Sequence, residues 1–296
     1  MSALWNSAIA LLLVTGGLLG LTLPLGKLAA AAGVSPALWA LTISLGAGTA
    51  LLFFMLLRGK RVGLDAGRLR YFLIAAAVSY AIPNLLMFSA IPHLGAGYTG
   101  IMFTLSPVIT LLLSVLTGVR RPTRLGMVGI AVGFAGALVV AWTRGEAGRP
   151  ADPFWVLVGL CIPLMLALGN IYRTIDWPRE AGTTELAVGS HLAAAAMLVV
   201  YALWNGDAGR AEALLGVPWL VVAQVVASSM MFVFFFRLQQ VGGPVYLSQI
   251  GYVAAAVGLI AGILVLGESY GWMTWLGGAV ISVGIAMTTR AQIGRA

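Results

Sequence analysis

The chain has 296 residues, 60% of them hydrophobic and only 9% charged, with 17 Lys and Arg against 9 Asp and Glu and a formal net charge of +8. A soluble domain carries roughly 25% charged residues, so a water-facing surface for the whole chain is excluded, and a mean hydropathy of +1.00 makes lipid its solvent. The single cysteine, Cys161, forms no internal disulfide, and the two histidines without a Cys/His cluster give no metal site.

A spanning helix needs about 20 mostly apolar residues. Runs bounded by Gly, Pro and charge clusters meet that length at 4–30, 35–57, 69–92, 94–118, 124–142, 153–173, 184–204, 216–237, 243–266 and 270–289. The first, opening "MSALWNSAIALLLVTGG", lacks a basic n-region and is read as a retained span rather than a signal peptide. Runs such as "VVAQVVASSMMFVFFF" do not alternate, which argues for helices over a β-barrel. The loops are short, leaving no room for an extramembrane or ATP-binding domain. With the N-terminus inside, four of the 17 basic residues, Lys27, Arg144, Arg149 and Arg210, lie outside. The rest, including Arg58, Arg68, Arg120, Arg121, Arg173, Arg237 and Arg295, lie inside. That bias marks orientation rather than nucleic-acid binding and puts both termini in the cytoplasm of a bacterial-type inner membrane. Trp39, Trp155, Trp272 and Trp275 are expected in an interfacial belt.

The chain repeats itself. "SAIPHLGAGYTGIMF" aligns with "FRLQQVGGPVYLSQI", setting Gly95 on Gly242 in a turn between two spans. One inserted residue then sets Gly129 on Gly277 and Gly136 on Gly284, glycines seven apart on one helix face that permit close packing. Five spans per half is odd, so residues 1–148 and 149–296 are expected as two inverted five-helix repeats around a central cavity, an all-α integral membrane fold of ten transmembrane helices. Glu268, in "ILVLGESYGW", then corresponds to the loop "TGVRRPTRLG" of the first half. "LPLGKLAA", "LGESYGWMTWLGGAVISVGI" and the five-plus-five layout resemble the drug/metabolite transporter superfamily, in its ten-helix EamA-type branch. The resemblance covers nearly the whole chain and implies export of small metabolites, often amino acids, with the aromatic amino-acid exporters the nearest in character. The family glutamate after span nine matches Glu268; its first-half counterpart is replaced by Arg120 and Arg121.

Polar and bent positions inside lipid are the candidate site residues. Asn84 follows Pro83, whose ring frees a backbone carbonyl; Tyr80 and Met87 flank it. Span nine places Tyr246, Gln249 and Tyr252 at three-residue steps, opposite Tyr98 and Met102 of span four, which Pro107 bends. These are read as substrate-binding walls, with cross-helix hydrogen bonding or an interfacial belt as the structural alternatives. Gating or coupling falls to Pro24, Lys27, Pro107, His191 and Glu268. Lys27 either snorkels or pairs with Glu268, and an exposed pair would contribute only about 0–1 kcal/mol. His191 and His93 are proton carriers or structural residues.

No carboxylate is expected deep in the membrane, so the cavity is read as mostly neutral, suited to a neutral or zwitterionic solute. The expected function is a secondary transporter exporting small metabolites, most of all aromatic or other hydrophobic amino acids, by alternating access. An efflux carrier for cationic or multiple drugs is the alternative. An intramembrane enzyme lacks a nucleophile–base pair or metal cluster, and a channel lacks a continuous polar stripe. No cofactor is implied, the partners are the small-molecule substrate and the bilayer, and the oligomeric state is open.

Overall fold

The computed structural model describes residues 5–119, 123–143, 145–146, 149–150 and 152–293. Of the charges counted above, Arg120, Arg121, Arg144 and Arg295 lie outside the described residues. The helical stretches in chain order are α1 (Ala8–Ala31), α2 (Pro36–Leu57), α3 (Ala66–Leu94), α4 (Ala96–Leu116), α5 (Arg124–Thr143), α6 (Pro153–Ile175), α7 (Thr183–Trp204), α8 (Pro218–Ser248), α9 (Ile250–Leu266) and α10 (Trp272–Ile293). Seven of them, α1 to α4 and α6 to α8, are long and apolar enough to cross a membrane, while α5, α9 and α10 hold shorter apolar stretches. Among the described residues the extended structure is one two-residue ladder pairing Gly145–Glu146 with Arg149–Pro150. The protein is a helical membrane protein, and Phe53, Phe54, Leu57 and Leu264 on its flanks are exposed to the lipid such a bundle requires.

Local chemistry sets where the helices begin. Ser7, Ser35, Asp65 and Asp152 occupy N-caps and accept from the backbone amides of Ala10, Leu38, Arg68 and Phe154. Pro36 and Pro153 stand in the first turn, where their missing N–H costs nothing. Prolines also shape two interiors. A π-helical turn at Ala77–Ala81 precedes Pro83, and a 3-10 turn at Phe103–Leu105 precedes Pro107. In each case the proline cannot return a hydrogen bond to the carbonyl four residues back, and the ladder rearranges there.

Helix packing follows a regular scheme. The principal pairs are α5 with α10, α2 with α7, α4 with α9, α1 with α8 and α9, α6 with α3 and α4, α2 with α8, and α7 with α3. Exchanging every helix with the one five places along returns the same pairs. At the α5–α10 crossing, a Cβ on Gly136 would lie 2.7 Å from the Ile281 amide and 2.9 Å from the Gly277 carbonyl. One on Gly284 would lie 2.5 Å from the Gly133 amide and 2.6 Å from the Gly129 carbonyl. The contact is reciprocal, as a two-fold pairing demands.

The turn glycines correct the sequence alignment by one residue. Gly95, before α4, has φ 87° and ψ 155°. Its structural counterpart is Gly243, at φ 71° and ψ −178° inside the stretch named α8, rather than Gly242. Both occupy a backbone region open essentially to glycine alone. The step from Gly95 to Gly243 equals the steps from Gly129 to Gly277 and from Gly136 to Gly284, so the inserted residue is unnecessary.

Side-chain contacts sort the loops into two ends. At the first, Arg237 donates from Nε to the Trp5 carbonyl (3.2 Å) and from Nη2 to Asn6 Oδ1 (2.6 Å). Arg68 meets Glu185 at 3.0 Å and Arg70 meets Asp176 at 2.5 Å. At the second, Lys27 meets Glu268, His93 stacks on Trp155 with ring centroids 3.9 Å apart, and Thr274 meets Thr143 at 3.0 Å. We call these the arginine end and the glutamate end. α1 runs from the first to the second, and α6 from the second to the first. Trp272 and Trp275 are exposed near the glutamate end, as a belt residue should be, and Trp155 is half-buried there. Trp39 departs from that expectation: it is 1% exposed and packs by Gly26 in the core, because a glycine on α1 opens room for an indole.

Candidate functional site

A cavity of about 70 Å³ lies in the middle of the bundle, with walls from α1 to α4 and from α6, α8 and α9. The π turn in α3 brings Ser79 and Tyr80 to this wall, and the following turn adds Asn84 and Met87. α6 contributes Asn170 and Arg173, and α8 contributes Ser228, Met231, Phe232 and Phe235. Apart from the Arg173 end, the lining is apolar and aromatic with scattered hydroxyls and the Asn84 amide. The hydroxyls of Ser79 and Tyr80 are buried and have no hydrogen-bond partner among the described residues.

Arg173 corrects the sequence reading most sharply. It was counted among the inner-surface charges, yet it is 1% exposed and lines the cavity. Its Nε donates to Gln239 Oε1 at 2.9 Å and its Nη2 to Asn170 Oδ1 at 2.7 Å. The guanidinium carbon lies 4.9 Å from the Phe235 ring centroid and 5.8 Å from that of Tyr80. Two amide oxygens and two ring faces hold the cation, and no carboxylate among the described residues lines the cavity. The cavity is therefore positively charged at one end, not neutral. A buried cation is tolerated when hydrogen-bonded, and these partners supply that condition.

The glutamate end is built from the C-terminus of α9. Gly267, left-handed at φ 66°, ends the helix, and the Glu268 amide returns to the Gly262 carbonyl at 3.0 Å. This cap aims Glu268 at the start of α4, whose N-cap Gly95 has no side chain to offer. Both carboxylate oxygens serve there: Oε1 accepts from the Ala96 amide at 2.7 Å and Oε2 from the Gly97 amide at 3.0 Å. Lys27 Nζ reaches Oε1 at 2.5 Å, and the Tyr270 hydroxyl donates to Oε2. Side-chain exposure is 26% for Lys27 and 0% for Glu268, so the pair is not the exposed one expected from sequence. Glu268 lies in the loop beyond α9, at the end where the sequence puts it, but is buried within the protein there. Burial pushes its carboxyl up, but Lys27, Tyr270 and the two amides outweigh burial and hold it below the ordinary value. Burial and the neighbouring carboxylate push the Tyr270 phenol up.

Of the sequence candidates, Tyr80, Asn84 and Met87 line the cavity. Tyr98, Met102, Tyr246, Gln249 and Tyr252 are not among its lining residues. Tyr98 is fully buried, and Met102 packs toward Gly159 of α6. Tyr246 is half-buried against the core, Gln249 is buried where α8 passes into α9, and the Tyr252 hydroxyl is buried without a partner. Pro24 is buried within α1 and Pro107 opens the last segment of α4. His191 is fully buried, 4.2 Å from Tyr80 and 3.9 Å from Phe232 between ring centroids, with neither nitrogen hydrogen-bonded. The residues sequence reasoning missed are Arg173, Asn170 and Gln239. The signal present was Asn170 and Arg173 three apart on one helix face.

A polytopic helical bundle enclosing a central cavity, with two halves related in sequence, is an architecture suited to a membrane transporter. The EamA-like transporter family model matches residues 6–142 and again 153–290, and the chain belongs to that family, within the drug/metabolite transporter superfamily. It is similar to the uncharacterized inner membrane transporter YedA of Escherichia coli strain K12, 24% identical over 252 residues, covering 83% of this chain and 78% of that one. The YedA protein of Escherichia coli O157:H7 matches with the same figures. A solved crystal structure of another protein superposes with a TM-score of 0.65 over 97% of this chain and 99% of its own, at 20% identity, which shows a shared fold.

Proposed function

We propose that the protein is a secondary carrier that exports small amphipathic metabolites, amino acids with apolar side chains among them, by alternating access of the central cavity. The observation that carries this reading is the cavity itself, walled by helices of both halves and polar at one end. The helix pairs that survive exchange of α1–α5 with α6–α10, and the opposite runs of α1 and α6, support two inverted five-helix repeats, 1–148 and 149–296, in which rocking one against the other opens either end. The buried Lys27–Glu268 tie closes the glutamate end. At the arginine end a groove lined by Trp5, Phe54, Arg58, Thr183, Phe232 and Phe236 shares Phe232 with the cavity. The basic residues gathered at the arginine end support a cytoplasmic position for that end, and with it for both termini, in a bacterial-type inner membrane. A cationic cargo is disfavoured, because the one charge lining the cavity among the described residues is the Arg173 cation.

Reconstituted vesicles test the reading. Entry of a labelled substrate should saturate, and unlabelled substrate trapped inside should accelerate it. Asn84→Ala should raise KM about tenfold, the loss of one hydrogen bond of roughly 1.4 kcal/mol. Flux that stays linear with concentration and ignores trapped substrate would establish a pore instead.

A further inference from the structure

The two halves treat their first-helix cation differently. Lys27 lies in the last two turns of α1 and Arg173 in the last turn of α6, each near the end of its half's first helix, although the repeat register sets Lys27 on Ile175 rather than on Arg173. Lys27 has Glu268. The step that carries Gly95 onto Gly243, taken back from Glu268, falls on Arg120, so the second cation has no counterpart acid. The helix start that Glu268 caps begins with the amides of Ala96 and Gly97, whereas its counterpart begins with Pro244, which has no N–H to cap. The acid and one of the groups that would use it are both missing from the second half. Arg173 is left facing the cavity with Nε engaged by Gln239 and Nη2 by Asn170, and among the described residues no further hydrogen bond of its guanidinium is seen.

Resting on the carrier reading above, we propose that Arg173 is the carboxylate-binding residue of the cavity, and that the preferred cargo is a singly charged carboxylate with an apolar body, ahead of the zwitterion of the same shape. The guanidinium presents a planar fork that matches a carboxylate with two parallel hydrogen bonds. Asn170 and Gln239 fix its plane by accepting from the opposite donors, and Asn170 is itself positioned by Thr110, 3.4 Å away. The aromatic and aliphatic lining beyond, with Met87, Ile162, Met231 and Phe232, takes the apolar body.

The ammonium of an α-amino acid is one carbon from its carboxylate, so it would enter beside Arg173. Among the described residues no acid lines the cavity to meet it there. Asp176, the carboxylate nearest in sequence, accepts from Arg70 at 2.5 Å and from the Tyr172 hydroxyl at 2.6 Å, and Glu268 is engaged at the far end. The ring faces of Phe235 and Tyr80 are already taken by the guanidinium. Like charges at short range in a poorly screened site repel strongly.

The test uses the full-length protein in detergent and in vesicles with two matched series. The first is 3-phenylpropionate, phenylalanine and phenethylamine; the second is 4-methylpentanoate, leucine and isopentylamine. Tryptophan fluorescence reads binding, and flux reads transport. At least one carboxylate should bind, about tenfold or more tighter than its amino acid, and its amine should not bind. Arg173→Gln should weaken the carboxylate roughly a hundredfold, as truncation of a buried ion-pair partner does. Arg173→Lys, which keeps the charge without the fork, should recover part of that loss while folding as the wild type does. The proposal is overturned if neither carboxylate binds, if an amino acid or amine binds as well as its acid, or if Arg173→Lys and Arg173→Gln leave the order unchanged. Saturable exchange of a solute indifferent to Arg173 would end this proposal and leave the carrier intact; absence of saturable exchange for any solute would end the carrier reading.

Discussion

Glu268 caps the start of α4 with both carboxylate oxygens while holding the Lys27 ammonium at 2.5 Å, so one fully buried side chain joins α1, α4 and the loop after α9. Both halves of the molecule meet at that point. In the proposed alternating-access cycle this tie must break for the glutamate end to open, and it should tune the balance between the two access states.

Weakening it should open that end. In a Cys161→Ser background, a cysteine at Leu259, which packs by Gly97 behind the tie, reports access to an impermeant thiol reagent. Glu268→Gln should speed its labelling about tenfold, the effect of roughly 1.4 kcal/mol on a two-state balance. A double-mutant cycle of Lys27→Met with Glu268→Gln should give a coupling energy in the upper part of the roughly 0.5–3 kcal/mol range of contacting residues.

The tie also carries a pH signature. The folded carboxyl of Glu268 titrates below its ordinary value, so its stabilising contribution is complete above the unfolded value of about 4.3 and is lost as pH falls through the lower folded value. The Tm difference between wild type and Glu268→Gln should stay constant from neutral pH down to about 5 and shrink below about 4. Measured melting curves across that range check it.

Close helix approach at the α5–α10 crossing makes a third prediction. Gly284→Ala places a methyl against backbone atoms of Gly129 and Gly133, which cannot step aside, and should cost about 1–3 kcal/mol by overpacking. Gly278→Ala, on the same helix with nothing within 4 Å of the added carbon, should leave the melting temperature unchanged.

His191 is expected to act as packing. Its ring lies against Tyr80 and Phe232, and among the described residues neither nitrogen meets a hydrogen-bond partner. His191→Phe should keep both the flux and its pH profile between about pH 5.5 and 8, where an unperturbed histidine titrates. Loss of pH dependence in that variant would return His191 to coupling.

Much of this architecture is legible in the sequence, because a spanning helix is announced by composition alone. Pro83 and Pro107 mark the two rearranged turns, since a missing N–H has the same consequence in any helix. Gly243 was placed one residue early because Gly242 and Gly243 read alike until a backbone angle separates them. Lys27 and Glu268 could be matched by height, but their burial depends on the α4 start folding over them. Arg173 was hidden for a related reason. It stands at the end of an apolar run beside Asp176 and Arg179, where hydropathy reads a loop, and the Gln239 that holds it inside is 66 residues away.

In the proposed carrier the two halves rock about the cavity, and the glutamate end must open for transport. Cysteines at Lys27 and Glu268 in the Cys161→Ser background, joined by a cleavable thiol–thiol linker, test it directly. Flux in vesicles should stop when the linker is in place and return when it is cleaved. Full flux with the linker intact would contradict the account.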